Sequence, residues 1–200
     1  MTNKLARIQK LAQSAVKGFT LIETMVAVLL LSIAIAGPLT IASKGLSSAL
    51  IAKDQIGAYY LGQDAIEYLR FKRDSNCLAN GTPVGGCPSG TWLAGVVGTG
   101  FCSADGLTAC RIDSIQDTVA SCSGTCGVLN WDSGNHFYTY ASTNGTTILA
   151  SPEHYIRTVS IVTPVGSNPN EAAITVTVQW TGAGGLTHSV THREDIFNWQ

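Results

Sequence analysis

From Phe19 to Ile41 the chain runs through an almost unbroken series of apolar residues in which Glu23 is the only ionisable side chain. These 23 residues, wound as a helix at about 1.5 Å each, reach roughly 35 Å, enough to cross the hydrocarbon core of a bilayer. A helix that is oily all round needs lipid or partner helices on every side. The carboxylate is the anomaly, because a charge inside a membrane is costly unless something pairs with it.

Charge is distributed unevenly around this run. The first 18 residues carry Lys4, Arg7, Lys10 and Lys17 and no acid. From Phe19 onward there are eight Lys or Arg against thirteen Asp or Glu, so the overall net charge of −1 hides a basic leader and a mildly acidic body. Basic residues before an apolar span keep that end cytoplasmic and send the rest of the chain outside. An acidic body gives no electrostatic basis for nucleic-acid binding.

Three readings of the N-terminus compete. A conventional secretory signal would use Ala34-Ile35-Ala36 before Gly37 as its small-residue cleavage site, but the apolar run is longer than such a signal needs and contains Glu23. A plain anchor has suitable length and leaves Glu23 unexplained. Cleavage between Gly18 and Phe19 accounts for it. The new α-amino group at Phe19 and the positive end of the helix dipole both need a negative partner, and Glu23 lies about one turn away. Paired, the two charges are tolerable in an apolar setting; apart, they are expensive.

Gly18-Phe19-Thr20-Leu21-Ile22-Glu23, between a short basic leader and an apolar helix, resembles the class III signal of type IV pilins and type II secretion pseudopilins. The resemblance implies removal of residues 1–18 by a prepilin peptidase and N-methylation of Phe19. It also implies that Glu23 recruits and registers subunits during assembly. The implied partners are other pilin subunits bundled through their helices, the peptidase, an inner-membrane assembly platform, and the membrane before assembly. The implied product is a structural subunit, a minor pilin of a type IV pilus-like filament; no enzyme activity and no cofactor are expected. The implied location is the bacterial inner membrane as a single-pass precursor with a cytoplasmic N-terminus, then an extracellular filament or periplasmic pseudopilus. The alternatives are a pseudopilin, and a conventionally secreted or anchored binding protein.

Helical patterning continues beyond the span. Gly37-Pro38 predicts a kink or local melting, because proline removes a helical hydrogen bond and crowds the preceding turn. Leu46, Leu50, Gly57, Leu61, Ala65 and Tyr68 or Leu69 recur at spacings of three, four or seven and mark one face. Arg70, Lys72 and Arg73 cluster where cations suit a helix C-terminus. The pattern therefore predicts one long helix over residues 19–74, oily in its first half and amphipathic in its second. Gly45, Gly57 and Gly62 lower its intrinsic propensity, so packing must hold it.

Residues 75–134 are rich in Gly, Ser, Thr and Cys and read as a loop region, with short strands expected around residues 90–97 and 107–112. All six cysteines follow the apolar run: Cys77, Cys87, Cys102, Cys110, Cys122 and Cys126. An even count behind a membrane-targeting segment reads as disulfides in an oxidising compartment. Zinc is disfavoured because no paired CxxC occurs. Fifteen pairings are possible and the sequence does not choose among them; the expectation is sequential pairing, which closes three short loops. Trp92, Phe101 and Trp131 are candidate anchors for this region.

Residues 135–200 alternate as strands do. Ile174, Val176, Val178 and Trp180 share one face, and "HYIRTVSIVT", "AAITVTVQW" and "LTHSVTHREDIF" are separated by turn-like stretches, predicting an antiparallel meander. "HFYTYAS" suggests a further strand. The fold class expected is α+β: a long N-terminal helix whose amphipathic half packs on the antiparallel sheet of a globular head, with a Cys/Gly-rich loop region. The same arrangement resembles the pilin head. Elsewhere the chemistry is sparse. His188 and His192 would share a strand face at about 13 Å, too far for one metal. His192 to Asp195 reads as a polar strand edge. The oxygen donors around Asp132 are too few for a calcium loop, and Asn144-Gly145-Thr146 is only a formal glycosylation acceptor.

Overall fold

The computed structural model describes residues 18–80, 87–88, 90–141, 148–150, 154–182 and 185–198. The basic leader and Asn144-Gly145-Thr146 lie outside the described residues. Contacts divide the chain at Leu46/Ser47.

Helix α1 spans Leu21–Asn80. Within the first unit, every described residue is exposed to its surroundings, including the consecutive Leu29, Leu30 and Leu31. The hydroxyls in this stretch do not stand free. Thr24 Oγ1 donates to the Leu21 carbonyl at 2.8 Å, Ser32 Oγ to Val28 at 2.8 Å and Thr40 Oγ1 to Ala36 at 2.9 Å. Each internal bond removes a polar demand that hydrocarbon could not meet. The helical assignment is unbroken through Gly37-Pro38, so the local melting expected there is not seen. Proline deletes a single backbone donor, and the uninterrupted ladder on either side carries the helix across.

Within the second unit α1 acquires a buried face. Ala58, Leu61, Ala65, Ile66, Tyr68 and Leu69 are buried in the main core. The helical spacing expected from sequence holds from Leu61 onward, but Leu46 and Leu50 remain exposed and the buried face begins at Ala58. Two glycines of the helix make room for bulky side chains. The Tyr155 hydroxyl would lie 2.8 Å from a Cβ at Gly57, and a Cβ at Gly62 would collide with the His192 ring. α1 also runs past its expected end, through Cys77, to Asn80.

The main sheet has five strands in the order β2-β1-β6-β7-β8: β1 (Cys110–Asp113), β2 (Thr118–Ser121), β6 (Ile156–Val162), β7 (Glu171–Thr181) and β8 (Thr187–Phe197). All its pairings are antiparallel. β6-β7-β8 is the expected meander, and Ala172, Ile174, Val176, Val178 and Trp180 of β7 face inward together. A smaller sheet, in the order β4-β3-β5, contains β3 (Asn130–Asp132), β4 (Phe137–Thr139) and β5 (Ile148–Ala150).

The region expected to be loop is more ordered than its composition suggests. It contributes β1 and β2 to the main sheet and β3 to the smaller one. Residues 90–97 form turns rather than the expected strand, with a single bridge from Val97 to Cys102. Three disulfides tie the region down: Cys77–Cys87, Cys102–Cys110 and Cys122–Cys126. Trp92 is buried in the core and Phe101 packs against it. Trp131 packs instead on Tyr138 of the smaller sheet, with ring centroids 4.8 Å apart.

Two buried charges join these layers. Arg157, on β6, shares the inward parity of Val159 and Ile161 and is 1% exposed. Its Nη1 donates to the Leu61 carbonyl at 2.8 Å and to Asp64 Oδ2 at 2.6 Å, and its Nη2 donates to the Ile112 carbonyl at 2.5 Å. One guanidinium thus binds α1, β6 and β1, using its planar fork where a flexible ammonium would satisfy fewer partners. Asp113, at the end of β1, accepts from Thr139 Oγ1 at 2.6 Å and Tyr140 N at 2.7 Å, and from the amides of Ile115 and Gln116. It fastens the smaller sheet to the larger, its buried charge held by four donors.

Candidate functional site

The candidate site is the entry to α1. Gly18, Phe19 and Thr20 precede the first helical residue, and all three are exposed. Thr20 is the N-cap: its Oγ1 accepts from the Glu23 amide at 3.3 Å, and its carbonyl accepts from Thr24 N at 3.2 Å. A capping oxygen of this kind satisfies one of the four amides that a helix start leaves without partners. Glu23 falls in the first turn, where the dipole favours negative charge. Thr20-x-x-Glu23 has the spacing of a capping box. That signal stands openly in the sequence, yet taking Glu23 only as a partner for an amine passes over Thr20.

Phe19 is 80% exposed, and the apolar side chains after Glu23 are exposed on all sides of the helix. By length and composition α1 is able to cross a membrane. Gly18 and Phe19 thus sit just ahead of the cap and Glu23 just within it, so a scissile bond between Gly18 and Phe19 would lie outside the hydrogen-bonded helix.

The other polar groups singled out from sequence serve the fold. His188 stacks on Trp180 with centroids 5.5 Å apart, whereas His192 lies in the seam between β8 and α1. Glu194 is held by Arg70, whose Nε donates to it at 2.9 Å. Asp132 accepts from its own turn, through Asn135 Nδ2 and the Gly134 and Asn135 amides. The Asn135 side chain leads in holding its carboxyl below the usual range, with the two amides adding to it. Those donors occupy the oxygens that a cation would need. Among the described residues, no three His, Cys, Asp or Glu side chains converge as a metal site would require.

The model of the prokaryotic N-terminal methylation motif matches residues 13–37. The chain has no significant match among curated proteins or among solved structures. The motif, joined to an α+β pilin-like arrangement with disulfides in its loop region, points to a structural subunit rather than an enzyme. More particularly, the motif supports a type IV pilin- or pseudopilin-like protein and a prepilin-type substrate. Its motif implies processing by a prepilin peptidase and assembly with other pilins, and its apolar helix fits an inner-membrane precursor.

Proposed function

We propose that this protein is a minor pilin of a type IV pilus-like filament. The leader, residues 1–18, holds the precursor in the inner membrane with its N-terminus cytoplasmic. Peptidase cleavage after Gly18 frees the Phe19 amine, which is then methylated. Glu23 of one subunit pairs with the Phe19 amine of a neighbour as the helices leave lipid and bundle. Apolar packing supplies the cohesion and the ion pair supplies the register, because a charge in a greasy bundle is tolerated only opposite its partner. The observation that carries this reading is the lone carboxylate of Glu23, placed in the first turn of a helix whose following apolar residues are exposed among the described residues.

The experiment is Glu23→Ala in the full-length precursor. Cleavage is expected to proceed, with methyl-Phe19 found at the mature N-terminus by mass spectrometry, while incorporation into filaments falls at least tenfold. Normal incorporation of the variant would sink the pairing. A mature chain beginning at Gly37 would instead mean a conventional signal. The methylation motif supports a pseudopilin equally well, and imaging separates the two readings: surface fibres containing the protein favour the pilin, and their absence alongside a secretion defect favours the pseudopilus.

A further inference from the structure

His192 is the one imidazole that is buried among the described residues, at 9% exposed. It sits on β8 and points into α1. Gly62 lets the ring lie directly on the helix backbone, since a Cβ there would collide with it. Tyr59 closes one side, its ring centroid 4.7 Å away and edge-on. Gln63 Nε2 lies 3.1 Å from Nδ1; an amide nitrogen only donates, so with the amide in this orientation Nδ1 accepts and the neutral ring carries its proton on Nε2. That nitrogen is buried and has no hydrogen-bond partner among the described residues.

No carboxylate is hydrogen-bonded to the ring among the described residues. From α1 the ring meets Tyr59, Gly62 and the neutral Gln63. Val176 of β7 stands opposite it in the ladder. On β8 itself the neighbours of the same parity are Val190 and Glu194, and the Glu194 carboxylate is already taken by Arg70, which also holds Glu67. His188, four residues back, is occupied with Trp180. A second proton would land on Nδ1, opposite a donor, and would leave a buried cation with no carboxylate beside it.

We propose that the seam between β8 and α1 is a proton-operated latch: closed while His192 is neutral, and loosened when acid protonates it. Burial holds the proton affinity of this imidazole below the ordinary histidine value of 6.5, in agreement with the geometry. The unfolded or detached strand then binds the proton more readily than the docked one. The latch is therefore fully closed above about pH 6.5 and loses stability as pH falls below it, by up to about tenfold in the open-to-closed ratio per pH unit for one linked proton. β8 is an outer strand of the sheet, so it is the strand that such a latch can release without dismantling the rest.

The test is hydrogen exchange in the full chain in detergent, read on Thr187–Phe197 at pH 7.5 and pH 5.5 after correction for intrinsic exchange rates, with Ile156–Val162 as the internal reference. Protection of β8 is expected to drop several-fold at the lower pH while β6 holds. His192→Gln removes the titration and should flatten the response. Gln63→Glu places a carboxylate beside the ring and should reverse it, raising β8 protection toward pH 5.5. A wild-type β8 indifferent to pH, or a response unchanged in His192→Gln, overturns the latch. Should His192→Gln fail to fold, the sign of the response in Gln63→Glu decides alone.

Discussion

The two halves of α1 obey the same helical geometry and solve opposite problems. Before Leu46, leucines and isoleucines cover the whole circumference and every one described is exposed. After Ala58, apolar positions are buried on one face, while Tyr60 and Phe71 stay outside it. The back half finds its partner in its own sheet. The front half finds no cover among the described residues, and an all-round apolar helix calls for lipid or other helices. A fold therefore accounts for one half of this helix, and an environment for the other.

Arg157 carries the largest expected effect. If the back half is held by its own chain, Arg157→Met should cost about 3 kcal/mol, because it strands the Ile112 carbonyl and leaves Asp64 with Ser114 but no cation. Asp64 is 42% exposed at its side chain and can turn to water, which keeps the loss from running higher. Chemical unfolding of the full chain in detergent reads it, and a loss under about 1 kcal/mol would mean that the guanidinium is not what ties the layers together. The glycines sharpen the comparison further. Gly62→Ala forces a methyl group into the His192 ring and should destabilise by about 1–3 kcal/mol. Gly45 has nothing within 4 Å of a built Cβ. Gly45→Ala in the dispersed chain should stabilise the helix by up to about 1 kcal/mol, seen as greater helicity by circular dichroism. The same substitution, seventeen residues apart on one helix, is thus expected to change sign. Matching signs would show that the two halves share one kind of environment.

Much of this is legible in the sequence. Glu23 stands out because a charge in an oily run has few explanations, and β7 announces its buried face by strict alternation. Three features stay hidden there, each for a physical reason. The burial of Arg157 follows from parity, since it alternates with Val159 and Ile161, but hydropathy argues against burying a guanidinium until its three acceptors are known. β2 is only four residues long, too short for alternation to register, whereas β1 overlaps the strand expected around residues 107–112. The exposure of Leu46 and Leu50 escapes notice because a helical stripe shows which residues align, not how far along the helix a partner extends.

The order of the chain also sets an order in time. The buried face of α1 is synthesised on the order of 10 s ahead of β7 and β8, at ordinary translation rates. Until the C-terminal strands arrive, that stripe has no sheet to rest on. The cysteines emerge in the same interval, and they are joined two by two in chain order, at separations of 10, 8 and 4 residues. This is the connectivity that oxidation in order of emergence would produce. Were the pairs to close in that order, the sheet would fold onto a chain whose middle third is already stapled.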